Sequence, residues 1–242
     1  SRDVTIALIL RTGPFRASLD PIASGRDMAL VLPFLDTTCD AILPEVRRVL
    51  TAQGLIALPT ETYYGLAVRP TDERAVRRLI DVKGRPADKP ILVLIGGPDQ
   101  LSSLVSSIPP AATALMELFW PGPLTIVFPA AAHLSPVLTA GTGTIGVRWS
   151  PLSTLQRLLT QTGPLTGTSA NRSSEPPLDQ AESVQQTLGP YLDLILDGGR
   201  TPGGSASTIV DACEQPRLLR AGVLSTDRIR AALAQRGYTL SS

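Results

Sequence analysis

The sequence predicts an α/β protein built on a mixed sheet, and three observations carry that prediction. Stretches with apolar residues at helical spacing alternate with short apolar runs of strand length. One run, Ile91–Ile95, is apolar at every position, as a strand buried on both faces must be, so it belongs in the middle of a sheet. The elements do not repeat as strict β-α-β units, so parallel and antiparallel pairs are both expected. At 242 residues and 43% hydrophobic content the chain can bury one sizeable core.

Residues 1–36 read as an N-terminal extension of unassigned role. Arg2, Arg11, Arg16 and Arg26 are balanced by Asp3, Asp20, Asp27 and Asp36, which is too acidic for a transit peptide. Its runs Val4–Leu10 and Met28–Leu35 have strand character. Regular patterning starts at residue 37 and defines a domain over 37–230, with 231–242 as a helix end and tail.

Thr37, Thr38 or Asp40 caps a first helix that carries Ile42, Val46, Val49 and Leu50 on one face and stops at Gly54. Leu55–Leu58 is a strand broken by Pro59. Thr71 or Asp72 caps a second helix with Ala75, Val76, Leu79, Ile80 and Val82 inward and Arg74, Arg77 and Arg78 outward. After the central strand come helical stretches near Asp99–Ser107 and Pro110–Phe119. The rigid turn Trp120-Pro121-Gly122-Pro123 leads into strands Leu124–Phe128 and Thr144–Trp149. Ser153–Gln161 is helical, Leu165–Thr168 extended and Gln180–Leu188 helical. Leu192–Leu196, Ser207–Val210 and Arg217–Leu219 read as strands, and Thr226–Arg236 closes the domain as a helix.

Composition narrows the function. A net charge of +1 exerts no general pull on nucleic acid or anionic membrane. No apolar run approaches the ~20 residues that span a bilayer. Cys39 and Cys213 cannot form a disulfide framework, and neither sits in a zinc-ligand cluster, so no protein metal site is expected and a reducing cytoplasm is the default compartment. His133 is the single histidine and has no nucleophile signature near it, which speaks against a Ser-His-Asp or Cys-His mechanism. Gly141–Gly146 matches G-x-G-x-x-G literally, but it runs into a strand where a dinucleotide site needs a helix. No Walker-type loop is present.

What remains is a set of anion and polar binders at element ends. Lys83 and Arg85 close a helix, Lys89 follows on the stiff Pro86–Pro90 loop, and three cations at a strand mouth suit a triphosphate. Arg148 is either a sheet-edge charge or a carboxylate receptor. Thr168-Ser169-Ala170-Asn171 offers short donors where a strand ends, and the Gly- and Ser-rich stretch Gly198–Ser207 offers backbone N–H groups. Arg220 is a further isolated cation.

Taken in order, Pro59–Leu66, Lys83-x-Arg85, Phe119–Thr125, Gly146–Arg148, Ser169-x-Asn171, Ser207–Asp211 and Leu219–Gly222 resemble the YrdC/Sua5 family of L-threonylcarbamoyladenylate synthases. The resemblance covers about Ile42 to Ser225. It implies a twisted open sheet with a deep concave cavity. It also implies a reaction in which ATP, L-threonine and bicarbonate, with Mg²⁺, give threonylcarbamoyl-adenylate and pyrophosphate. A downstream threonylcarbamoyl-transferase complex then modifies tRNA at the adenosine beside the anticodon. By the same resemblance Thr62, Arg148 and Ser207 contact threonine, and Arg85, Lys89, Thr144, Ser169 and Arg220 contact the nucleotide. Asn171 completes the nucleotide signature, and Lys83 with Arg85 neutralises the departing pyrophosphate. The chain departs from the family pattern at Leu94, where His is common, and at Lys89, Ala206 and Ala221. Two alternatives stand beside the synthase: an RNA- or ribosome-binding module on the same fold, touching tRNA or double-stranded RNA, and a diverged YciO-like paralogue.

Overall fold

The structure, a computed structural model, describes residues 28–86 and 88–241. The run Val4–Leu10 lies outside the described residues. The elements in chain order are β1 (Leu30–Pro33), α1 (Cys39–Thr51), β2 (Ile56–Pro59), β3 (Tyr64–Ala67), α2 (Glu73–Lys83) and β4 (Val93–Ile95). A 3-10 turn at Pro98–Ser103 leads to α3 (Pro110–Phe119), β5 (Leu124–Pro129), α4 (Pro136–Thr139), β6 (Thr144–Trp149) and α5 (Ser153–Thr162). The chain closes with β7 (Leu165–Thr166), β8 (Thr168–Ser169), α6 (Ala181–Leu188), β9 (Leu194–Asp197), β10 (Thr208–Asp211), β11 (Arg217–Arg220) and α7 (Thr226–Ala234).

The strands form two open mixed sheets, where the sequence suggested one. The first has the order β1-β9-β2-β3-β8 and the second β11-β10-β5-β6-β4-β7. In the first, β1 and β2 flank β9 in parallel, and β3 runs antiparallel to both β2 and β8. The second mixes parallel pairs (β10 with β5, β4 with β6) and antiparallel ones. The division follows from one residue inside a segment that reads as a single extended run, Leu165–Thr168. Leu165 and Thr166 pair with β4, whereas Thr168 and Ser169 pair with β3. At the switch, a Cβ on Gly167 would meet Leu94 Cγ at 2.5 Å, so only glycine lets the chain pass so close beneath Leu94.

Other differences have local causes. Tyr64–Ala67, between the strand broken at Pro59 and the second helix, is assigned no element by the sequence pattern. It is instead the second arm of a hairpin whose turn is held by Thr60, whose hydroxyl donates to the Tyr63 carbonyl (2.7 Å) and accepts from the Thr62 and Tyr63 amides (3.2 and 3.3 Å). The stretch after Pro98 closes as a 3-10 turn only to Ser103, and Pro136–Thr139 is a single unforeseen helical turn. Arg78 does not point freely outward. It is half-buried and donates to Asp193 at 2.6 Å and to the Tyr191 carbonyl, which ties α2 to β9. Asp72 caps α2 through the Ala75 amide, as the sequence predicts.

One core cluster packs the first sheet's Ala57, Leu66 and Ile195 and the second sheet's Ile126, Phe128 and Val147 against α2, α3, α6 and α7. The other packs α1 and α5 on Ile56, Leu58 and Leu196, and it includes Leu94 and Leu165. Strand alternation then decides what the second sheet shows on its other face.

Candidate active site

On β5 and β6 the residues Leu124, Ile126, Phe128, Ile145 and Val147 enter the core. The alternate positions, Thr125, Val127, Thr144, Gly146 and Arg148, therefore share the opposite face, with Val127 directly across from Gly146. Ile209 lies across from Thr125 on one side and Arg220 on the other, so Arg220 joins that face. Ser207, two residues earlier, is fully buried and its hydroxyl is 3.0 Å from that of Thr125. Arg220 donates Nε and Nη2 to the Ser207 carbonyl (3.1 and 2.8 Å) and Nη2 to its hydroxyl (3.1 Å).

Three guanidiniums influence one another here. Burial lowers the Arg220 pKa, and the charges of Arg148 and Arg85 push the same way. Burial likewise lowers Arg148, opposed by Glu61, and Arg85, opposed by Asp88. Buried cations that repel one another form a standing site for an anion. Arg148 is 3% exposed and makes no side-chain hydrogen bond among the described residues; its single ion pair is Nε to Glu61 Oε1 at 3.4 Å. Its fork is thus largely uncommitted, and the bidentate edge of a carboxylate or a phosphate matches its shape.

Glu61 and Thr62 come from the β2–β3 turn of the first sheet. The Thr62 hydroxyl is buried, 3.0 Å from that of Thr60, and the Thr62 carbonyl accepts from the Gly203 amide at 2.8 Å. The stretch Gly198–Ser207 thus packs on the turn rather than standing free. Tyr64 secures it from below, donating its hydroxyl to the Gly199 carbonyl at 2.8 Å.

Lys83 does not project into solvent. It is 4% exposed, and its ammonium meets the Ser169 carbonyl (2.6 Å), Asn171 Oδ1 (2.7 Å), the Asn171 carbonyl (3.2 Å) and Ser169 Oγ (3.3 Å). The Ser169 hydroxyl donates to Asn171 Oδ1 at 2.7 Å. The signature residues of two distant segments are therefore one hydrogen-bonded unit, with the ammonium as its centre. Burial pushes the Lys83 pKa down to about 8, and Arg85 acts in the same direction. Arg85 itself grips its own loop through the Lys89 and Pro90 carbonyls (3.1 and 2.8 Å), and Lys89 is exposed.

Arg148 and Arg85 both lie within electrostatic reach of Arg220, Arg220 holds Ser207, Thr62 follows the Glu61 that pairs with Arg148, and Lys83, Ser169 and Asn171 form a unit coupled to Arg85 by charge. Thr144 stands at the outer end of β6, its hydroxyl 2.9 Å from that of Thr142. Leu94 is paired with Arg148 but is fully buried in the core cluster. Thr125 and Ser150 were not singled out from sequence. Thr125 carries a legible signal, a polar residue alternating inside an apolar strand; Ser150 carries none, since its role needs the fold. No group of three His, Cys, Asp or Glu side chains suited to a metal occurs among the described residues, and none of their helices is long and apolar enough to cross a membrane.

Fold and site together define a two-sheet α/β protein with a buried, arginine-rich cluster suited to an anion. The Sua5/YciO/YrdC family model, which carries the description telomere recombination, matches residues 48–222. The threonylcarbamoyl-AMP synthase of Pyrococcus abyssi is 38% identical over 183 residues, covering 75% of this chain and 54% of that one. The threonylcarbamoyl-AMP synthase of Vibrio vulnificus is 36% identical, covering 74% of this chain and 98% of that one. Among solved structures, P. abyssi Sua5 complexed with L-threonine superposes with a TM-score of 0.78 at 32% identity, over 88% of this chain and 62% of that one. Escherichia coli YciO shares the fold at 23% identity, with a TM-score of 0.70 over 81% of this chain and 95% of that one. The chain belongs to the Sua5/YciO/YrdC family. It spans little more than half the length of two of its curated relatives, 54% of the Pyrococcus protein and 58% of the Bacillus subtilis one.

Proposed function

We propose that this chain is a threonylcarbamoyl-AMP synthase, a nucleotidyltransferase that joins L-threonine, bicarbonate and ATP and releases pyrophosphate. The observation that carries the reading is the buried, uncommitted Arg148 fork paired through Nε with Glu61, the residue before Thr62, and within electrostatic reach of Arg220, which itself holds Ser207. A fork, two hydroxyls and further cations suit an α-amino acid and a polyphosphate held side by side. The names of its relatives support the same reading, as does the L-threonine bound by the P. abyssi protein.

Arg148 takes the threonine carboxylate in bidentate fashion, and Thr62 and Ser207 orient its polar groups. The threonine nitrogen condenses with bicarbonate to a carbamate and loses water. A carbamate oxygen then attacks the α-phosphorus, and the bond to the departing pyrophosphate breaks. Arg85, Lys89, Thr144, Ser169 and Arg220 hold the nucleotide, and Lys83 keeps Ser169 and Asn171 in place beneath it. Positioning and charge stabilisation supply most of the catalysis, which is why no catalytic histidine is required. Carbamate and mixed anhydride are labile, so a deep cavity that excludes water belongs to the reading. The cation-rich donor set suits phosphates rather than a metal, so any Mg²⁺ would be held by the nucleotide's own phosphates, whose charge it would neutralise.

The product would feed a threonylcarbamoyl transfer to tRNA in the cytoplasm. Residues 37–230 would form the synthase domain, with 231–242 a terminal helix end and tail; of the extension 1–36, the strand β1 joins the domain's first sheet by pairing with β9. The test is pyrophosphate release from Mg-ATP with threonine and bicarbonate omitted in turn. Release that needs both, with serine much poorer, is expected. ATP binding without threonine-dependent release would refute the reading and favour a paralogue of other specificity; salt-sensitive tRNA binding without turnover would favour an RNA-binding module.

A further inference from the structure

We propose that Glu61 is a positioning residue that aims the Arg148 fork at the substrate carboxylate, and that Ser150 sets Glu61 in turn. The inference rests on the reading of Arg148 as the carboxylate receptor. Glu61 is the acid of the β2–β3 turn, with a side chain only 10% exposed. Its Oε2 accepts from the Ser150 hydroxyl at 2.5 Å. Its Oε1 and Arg148 Nε are both shut off from solvent and neither has a hydrogen-bond partner, yet they stand 3.4 Å apart. Two opposite buried charges at that range attract strongly without the alignment of a hydrogen bond.

Guanidinium geometry gives this arrangement a consequence. With Nε turned to Glu61, the Nη1 and Nη2 edge faces away from it, and that edge has no hydrogen bond among the described residues. Glu61 is the one group that favours the charged Arg148, whereas Arg148 and Arg220 repel each other. Removing the carboxylate leaves the guanidinium free to turn from its neighbours and lose the two-pronged aim that bidentate recognition needs.

Ser150 is fitted for the same task. It is fully buried; its hydroxyl accepts from the Leu152 amide (3.3 Å), and its carbonyl accepts from Gln156 Nε2 (2.7 Å) on α5. With Leu152 donating to it, the hydroxyl proton is available for Glu61. The relay thus runs from α5 through Ser150 and Glu61 to Arg148, and joins the two sheets at the substrate site. Glu61 also repels an incoming carboxylate, but that carboxylate docks on the far edge of the fork, where the repulsion is weaker than the 3.4 Å attraction holding Nε. Orientation therefore outweighs repulsion.

The experiment is calorimetric titration of L-threonine into the full chain saturated with Mg-ATP, comparing Glu61→Gln, Glu61→Asp, Ser150→Ala and Arg148→Lys, with ATP affinity measured for each. Glu61→Gln should raise the threonine Kd roughly tenfold to a hundredfold with ATP affinity unchanged, since a charge-assisted alignment is lost. Glu61→Asp should recover part of the loss, and Ser150→Ala should weaken threonine about threefold, because the bond it removes reaches the fork only indirectly, through Glu61. If Arg148→Lys weakens threonine while Glu61→Gln leaves it unchanged or tightens it, the positioning role is overturned. If Arg148→Lys itself has no effect, the carboxylate-receptor reading falls and takes this inference with it. Should Glu61→Gln fail to fold, Ser150→Ala decides: an unchanged threonine Kd there overturns the proposal.

Discussion

Replacing Lys83 with Met removes the ammonium at the centre of the Ser169–Asn171 unit, and the cost of doing so should depend on pH in an unusual direction. The Asn171 carbonyl has no other donor among the described residues, so it would be orphaned, at about 1–3 kcal/mol. The Ser169 carbonyl keeps the Asn171 amide, and Asn171 Oδ1 keeps the Ser169 hydroxyl, so each loses one bond of about 1 kcal/mol. Against this, the ammonium is costly to bury. Burial pulls its pKa from 10.5 down to about 8, a penalty of roughly 3 kcal/mol at neutral pH. The net cost of Lys83→Met at pH 7 is then only about 1 kcal/mol.

Linkage fixes the sign of the change with pH. Between pH 8 and 10.5 the folded protein has released the Lys83 proton and the unfolded chain still holds it, so wild-type stability rises through that window. The methionine variant lacks this contribution. The stability gap should therefore widen from about 1 kcal/mol at pH 7 to about 3–4 kcal/mol by pH 10, because the neutral amine still donates hydrogen bonds but no longer bears the charge penalty. Urea unfolding of both proteins at pH 7, 8.5 and 10 measures the gap, and titrations common to both cancel. A gap that stays flat or shrinks as pH rises would refute a buried ammonium with a depressed pKa.

Two further outcomes test the scaffold around the site. Asp193→Ala should cost about 2–4 kcal/mol in urea unfolding, because Asp193 Oδ2 accepts both from the half-buried Arg78 (2.6 Å) and from the Leu55 amide (2.7 Å), and both donors lose their partner. Gly222→Ala places a Cβ 2.6 Å from Ser207 C and Thr208 N, backbone atoms that cannot swing aside. It should destabilise the chain by about 1–3 kcal/mol and weaken threonine binding through the displaced Ser207, read by unfolding and titration calorimetry.

Much of the frame is legible in the residues themselves, because helix caps and strand alternation act within a few positions. Asp72 caps α2, Leu124–Phe128 and Thr144–Trp149 are strands, and Gly141–Gly146 runs into β6, as local pattern predicts. The family, too, follows from short segments in a fixed order. The number of sheets does not. Leu165–Thr168 looks like one strand because nothing in four residues says that Gly167 must slip beneath Leu94, a residue some seventy positions earlier.

The site divides the same way. Lys83, Arg85, Arg148, Ser169, Asn171 and Arg220 stand out in the sequence as cations and short donors at element ends. Their states depend on distant partners. The Lys83 ammonium is saturated by Ser169 and Asn171, Arg220 is braced on Ser207 through Nε and Nη2, and Arg148 keeps its fork free with Glu61 at its back. Whether a side chain is a free charge or a buried strut is set by the donors and acceptors that packing brings within about 3 Å of it, over which hydrogen bonds act. Residue type and local order are written along the chain, and the sequence alone determined them. Which charge meets which oxygen is a three-dimensional fact, and only the packing of the two sheets against each other decided it.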